Sequence, residues 1–204
     1  MTFGLPGYFE VWNEETDDDA PAFAVMQVVG IKQLKDTDGN LKRYAVQVAK
    51  PDADVRERPW VINGPIELKS ESSGYATSCI DFAWGLYDSA ETPTAWEIWG
   101  PTKDSWKLTE GHPGFVVLGE IDATNTKMLV RRSHGLKLLG KTAASHAKGA
   151  SGTIDVWAGK TMGSESVVTG VTVSAWNRFA ALDSGKWVHA EVVGADWELS
   201  AAEC

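Results

Sequence analysis

Two acidic residues set among tryptophans are where this chain first offers chemistry: Glu97 lies between Trp96 and Trp99, and Asp104 precedes Trp106. Carboxylates beside indoles are what a glycoside-cleaving site uses, one acid protonating the leaving oxygen while aromatic faces stack the sugar. The plainer reading makes both acids solvent-facing neighbours of tryptophans that point inward. Holding a sugar without cleaving it needs only an exposed aromatic face. Trp84, Trp96, Trp99 and Trp106 are therefore the candidate binding residues, for a glycan or for a neighbouring subunit, and no residue is assigned a catalytic role.

The remaining reactive side chains form no recognisable constellation. His112, His134, His146 and His189 are dispersed, with no HxH or HExxH pair, and Cys79 and Cys204 belong to no CxxC, so neither a metal nor a cofactor is expected. The thiols read as free, Cys79 as a small core residue. Gly163-Ser164-Glu165-Ser166 lacks the GxSxG spacing of a nucleophile elbow. Asn13-Glu14-Glu15-Thr16-Asp17-Asp18-Asp19 reads as a solvated acidic loop; calcium is the alternative, without the glycine and spacing of an EF-hand. His189, between Trp187 and Glu191 in the alternation, is either a surface histidine or a pH-sensitive contact at a subunit boundary.

The elements that must carry these residues are strands. With 204 residues, 43% of them hydrophobic, the chain can bury a real core, and twenty glycines and ten tryptophans among short β-branched runs point to an all-β class. Tyr8 to Trp12 opens a first strand and Ala22 to Gly30 a second, which returns through Asp36-Thr37-Asp38-Gly39-Asn40 to Tyr44–Ala49 as a hairpin. Pro51 ends it. Further strands follow at Trp60, Tyr75, Phe82, Gly114 and Leu129. In the last third Ile154 and Val156, Val171, Val173 and Ala175, and Val188, Ala190 and Val192 occupy alternate positions, the period of half-buried strands, with a tight turn at Gly194-Ala195-Asp196. Thr142 to Lys148 is too short and polar for more than one helical turn. The polar run Arg131-Arg132-Ser133-His134-Gly135 marks a boundary, giving two small antiparallel β domains, 1–132 and 133–204, each barrel-like or sandwich-like. No repeat of fixed period is apparent.

A formal charge of −9 with no basic patch excludes a phosphate-binding groove, so nucleic acid is not an expected partner. No apolar run reaches the roughly twenty residues of a membrane span, and the opening MTFGLPGYFEVWNEE lacks the basic, apolar, cleavable order of a leader.

The series Pro21-Ala22-Phe23-Ala24-Val25-Met26-Gln27-Val28, Lys50-Pro51-Asp52, Val61-Ile62-Asn63-Gly64-Pro65, Gly74-Tyr75-Ala76-Thr77, Ser105-Trp106-Lys107-Leu108 and Gly114-Phe115-Val116-Val117-Leu118-Gly119 resembles uncharacterised virion proteins of tailed bacteriophages and their prophage relatives. Lys148 to Trp157, Ala175-Trp176-Asn177-Arg178-Phe179, Ser184-Gly185-Lys186-Trp187-Val188 and Trp197 to Cys204 are similar to a small module that closes such proteins. The resemblance covers nearly the whole chain and carries no catalytic set. It implies a non-enzymatic structural protein of the particle: a head decoration or neck component, symmetric and oligomeric, contacting other capsid, neck or tail proteins. The alternative is a tail fibre or adhesin component with a carbohydrate-binding aromatic surface.

Overall fold

Alternating short runs closed by glycine or proline dictate strands, and strands are the only regular elements in the computed structural model, which describes residues 7–52, 59–79, 81–133, 136–157 and 172–203. The chain is all-β, as its composition predicts. Val171, Gly163 to Ser166, His134, Gly135 and Cys204, named above, lie outside the described residues.

Three sheets of five strands follow one another. The first holds β1 (Tyr8–Asn13), β2 (Val25–Lys35), β3 (Leu41–Ala49), β4 (Trp60–Asn63) and β5 (Ser73–Thr77) and closes into a barrel. The second holds β6 (Ala83–Leu86), β7 (Ile98–Pro101), β8 (Leu108–Glu110), β9 (Phe115–Asp122) and β10 (Lys127–Arg132). Its edges β6 and β8 meet only through a single parallel bridge, Tyr87 to Leu108. The third, again a closed barrel, holds β11 (Lys137–Thr142), β12 (Ser151–Val156), β13 (Thr172–Trp176), β14 (Trp187–Val193) and β15 (Asp196–Ala202). The ten strands up to Arg132 thus form two sheets, Arg131 and Arg132 of the polar run belonging to β10, and the third sheet begins at Lys137.

One ring of pairings recurs in all three. In the first unit β1 runs parallel to β3 and antiparallel to β5, β2 is antiparallel to β3 and β4, and β4 closes on β5. The second unit repeats this with β6 to β10 in the same order. The third repeats it when read from β13: β13 is parallel to β15, β14 joins β15 to β11, and β12 returns to β13. Its chain therefore enters the same ring two strands earlier, a circular permutation. Read from β11, its order is first, second, third, fifth, fourth, first, the Greek-key connectivity of an OB-fold barrel. The expected antiparallel arrangement is corrected in this respect: closing a five-stranded ring leaves one parallel pair in each unit.

The permuted barrels keep the same latch. Asn13, at the end of β1, and Asn177, just past β13, are both fully buried and both follow a tryptophan. Asn13 Nδ2 donates to the carbonyls of Asp18 (2.9 Å) and Leu68 (3.4 Å), while its Oδ1 accepts from Glu15 N at 3.2 Å. Asn177 Nδ2 donates to the carbonyls of Ala180 (2.9 Å) and His146 (3.0 Å), and its Oδ1 accepts from Phe179 N at 2.9 Å. Leu68 and His146 hold equivalent places, each pressed over a glycine of the opposing strand. A Cβ on Gly74 would come within 2.7 Å of Leu68, and one on Gly152 within 2.6 Å of His146. Substitution of Gly152 would push the rigid His146 ring aside, whereas at Gly74 only the end of the Leu68 side chain has to give.

Packing follows the same logic of reuse. Val25 of β2 pairs with Ile62 of β4, and with Trp60 these residues leave their own barrel and enter the core of the second unit beside Trp99, Leu108, Phe115 and Met128. Their equivalents, Ile98 of β7 and Val116 of β9, are likewise paired and enter the core of the third unit beside Leu138, Ile154, Val173 and Trp197. Arg132 fastens the first junction. Its Nε donates to the Ser78 carbonyl (2.9 Å), its Nη2 to the Trp60 carbonyl, and the guanidinium lies 5.6 Å from the Phe115 ring. Burial pulls its pKa below the ordinary guanidinium value. Cys79 lies in the same core, where burial pushes its thiol up to about 12 and Sγ donates to the Val130 carbonyl at 3.3 Å. It is an inert core thiol.

Because each latch asparagine satisfies two carbonyls inside the barrel, Asn177→Ala is expected to cost about 2–4 kcal/mol, and Asn13→Ala a similar amount. Urea unfolding monitored by tryptophan fluorescence reads both. A loss below about 0.5 kcal/mol at either site removes the latch argument.

Candidate functional site

The predicted tryptophans do not share a surface. Trp99 has 0% exposure: it packs edge-on against Tyr87 (centroids 6.1 Å apart), and its Nε1 donates to Glu97 Oε2 at 3.3 Å. Trp106 is buried in the core of the first barrel, with Nε1 donating to Asp18 Oδ1 at 3.0 Å and the Lys50 ammonium 5.4 Å from its ring. Neither indole has a face on which a sugar could stack. Trp84 is half-buried, with Lys127 Nζ 5.1 Å from its ring. Trp96 is half-buried at a φ of 71°, and its carbonyl accepts from Trp197 Nε1 at 2.9 Å, tying the second unit to the third. The four serve junctions and cores more than a common platform.

The acids disperse as well. Glu97 Oε2 also accepts from Thr94 N at 2.7 Å, so this carboxylate orders its own turn. Asp104 is exposed, on the turn between β7 and β8, and its backbone N–H donates to the Pro51 carbonyl at 2.7 Å. The acidic loop, expected to be merely solvated, is fastened instead: Glu15 accepts from Lys50 N, Asp18 pairs with Lys50, and Asp19 takes Lys69 Nζ at 2.8 Å and Ser70 N at 2.7 Å. Lys50 and the Trp106 N–H hold Asp18 below the usual carboxylate range, and Lys69 does the same for Asp19. Cations and donors far along the chain satisfy this run. Among the described residues no group of three or more His, Cys, Asp or Glu side chains converges on a metal site. His146 is buried, with Nε2 3.1 Å from the Ala150 carbonyl, and His189 is exposed.

A cleft of about 420 Å³ does open where the second and third units meet. One wall is the turn Thr94 to Glu97 with Glu110; the other is the outward row of β12 and β13, Ser151, Thr172, Ser174 and Trp176, with Asp196 at the β14–β15 turn. Strand alternation builds that row, since Val173 and Ala175 point into the barrel while their neighbours point out. Ser151 Oγ and Ser174 Oγ lie 2.6 Å apart. Trp176 carries the Arg178 guanidinium 5.5 Å from its ring, and Arg178 in turn bonds Glu198 at 2.8 Å. Partial desolvation at the cleft wall, followed by the like charges of Glu97 and Glu91, raises the carboxyl of Glu110, an otherwise exposed residue, above the usual range.

Hydroxyls, carboxylates and half-buried indoles of this kind suit a polyhydroxylated or cationic ligand. Of the residues picked from sequence only Trp96 and Glu97 line the cleft; Trp176, Glu110 and Asp196 were missed. The one signal for Trp176 was local: it stands in a Trp-Asn pair that echoes Trp12-Asn13.

No protein-family model, no curated protein and no solved structure matches this chain.

The raised carboxyl gives a pH test. A carboxyl raised on folding favours the folded state while protonated, and that contribution is lost as pH rises through its folded value. Glu110→Gln, which stays neutral, is therefore expected to raise the melting temperature near pH 7 and to leave it unchanged near pH 3, below the carboxylate range. An equal shift at both pH values sinks the raised carboxyl.

Proposed function

We propose that this chain is a non-enzymatic structural protein of a tailed bacteriophage particle, a head decoration or neck component that works as a symmetric oligomer against other virion proteins. The observation that carries the reading is where the aromatic and acidic side chains go. Trp99 and Trp106 fill cores, Trp96 joins units, and Asp18, Asp19 and Glu97 bind the chain's own donors. Side chains that a catalytic site would present to substrate are here committed to rigidity. Three β units joined through shared cores make a stiff element of the kind a shell or neck uses, and a net charge of −9 keeps it off packaged DNA. The sequence patterns that resemble virion proteins point the same way.

Mass spectrometry of gradient-purified particles is expected to find the chain at a fixed, stoichiometric copy number. Its presence in infected-cell lysate but not in particles overturns the reading.

The cleft favours a second reading, a carbohydrate-binding component of a tail fibre or adhesin. In that case Trp176, not Trp99, is the stacking residue, because Trp176 lines the cleft and is only half-buried, whereas Trp99 has no exposed surface. Trp176→Ala is expected to abolish glycan-array binding while the melting temperature holds. An array silent with the wild-type chain removes this alternative.

A further inference from the structure

The hairpin of β2 and β3 is longer than its barrel requires. Closing the ring uses Val25–Gln27 against β4 and Val46–Val48 against β1. Beyond these, β2 continues to Lys35 and β3 begins back at Leu41, so that Lys32 to Lys35 and Leu41 to Ala45 pair only with each other. The equivalent hairpins show what the fold needs: β7 and β8 have four and three residues, β14 and β15 seven each. The first unit thus carries an arm its siblings lack.

The arm faces the wrong way for a solvated ribbon. Ile31 pairs with Val46, Gln33 with Tyr44 and Lys35 with Leu41, and these pairs continue the inward face of the barrel, since Val46 is paired with core Val11. Past the barrel rim no described residue covers that face. Ile31 is 69% exposed, Tyr44 57% and Leu41 48%. Gln33 and Lys35 flank these apolar side chains, while on the other face Lys32 and Arg43 turn back to the barrel: Lys32 Nζ sits 5.0 Å from the Trp12 ring, and Arg43 bonds Glu10 at 2.8 Å. An exposed apolar face whose polar reverse is already engaged marks a contact surface.

The third unit shows what covers this position. Ala175 pairs with Trp197 as Val11 pairs with Val46, and Val192 pairs with Trp197 as Ile31 pairs with Val46. There the Val192–Trp197 pair is packed under Trp96 and Ile98 of the preceding unit, with Trp197 Nε1 on the Trp96 carbonyl. Ile31 and Val46 stand in the first unit, with no unit before them among the described residues. Charge adds a direction. Residues 30–44 hold Lys32, Lys35, Lys42 and Arg43 against Asp36 and Asp38, a net of +2, which leaves −11 on the rest of a chain whose total is −9.

We propose that the β2–β3 arm is a self-association element, its Ile31, Leu41 and Tyr44 face seated on a second copy of this chain, whose excess of negative charge complements the basic arm. The contact joins two different surfaces, arm to body, and is therefore heterologous, the kind that builds rings. Lys35 and Lys42 at the rim of the apolar face meet carboxylates, steering copies together despite their like net charge. This deepens the particle-protein reading, but its test uses the purified chain alone, so its failure is distinct from absence of the chain from virions.

Sedimentation of the full chain from about 1 to about 100 µM is expected to show association that weakens on dilution and with added salt. Ile31→Ser with Tyr44→Ser, both at exposed positions, is expected to weaken it at least about tenfold while leaving the melting temperature unchanged. In a mixture of isotopically light and heavy copies, a zero-length carbodiimide cross-linker is expected to join Lys35 or Lys42 of one copy to carboxylates of another. A wild-type chain that stays monomeric throughout overturns the proposal, as does a double variant that associates undiminished. Cross-links confined to single copies overturn it too.

Discussion

The fold depends on one repeated act of burial: a pair of facing residues on two neighbouring strands turns outward from its own sheet and completes the core of the next. Val25 with Ile62 does this for the second unit, and Ile98 with Val116 for the third. Burying one such aliphatic side chain contributes roughly 1.5–3 kcal/mol. Each core also lacks something without its neighbour. The second sheet closes by a single bridge, and the space inside it is filled from the first barrel: Ile62 Cδ1 lies 3.6 Å from where a Cβ on Gly85 would stand. The three sheets are therefore coupled in stability although each has its own ring of hydrogen bonds.

The same ring tolerates a cut in two places because its closure does not depend on which strand comes first. What it requires is a donor set where the strand that joins the parallel pair leaves the barrel, and there both permuted barrels use asparagine. An amide supplies two donors and an acceptor in one rigid plane, which matches two carbonyls and one N–H left over by the loop. A carboxylate could only accept and a serine could only donate once. The chemistry of the leftover backbone groups thus selects the residue, and the latch survives a permutation that leaves little else of the sequence alike.

Much of the strand pattern was legible beforehand. The β2–β3 and β14–β15 hairpins, the buried runs and the all-β class follow from period-two alternation and turn residues, which are local. Three features were not. The threefold repeat is hidden because the third copy is permuted and because loops of unequal length separate equivalent strands. The burial of Trp99 and Trp106 is a property of the neighbouring unit that covers them: Trp106 projects from the second sheet into the core of the first. The cleft draws Glu110 and Trp176 together from distant segments across a junction that no spacing rule describes. The acidic loop misled for a related reason, since its partners Lys50, Lys69 and Trp106 lie 32 to 88 residues along the chain.

The two ends of the series differ, and the difference is chemical. In the third unit the junction position held by Val25–Ile62 and Ile98–Val116 is occupied by Trp187 paired with Lys141, the ammonium 4.6 Å from the indole ring. Along the same outward row Lys137 bonds Glu191 at 3.2 Å, and His189 is exposed. Covering this row with another apolar core would strip water from an ammonium and an ion pair without replacing their partners, a cost of several kcal/mol that the buried indole could not offset. A cation stacked on tryptophan in water is stable as it stands. The third unit's row thus carries charge where the other two rows are aliphatic, and this polarity, not a missing strand, is what sets it apart from the junctions that complete a neighbouring core.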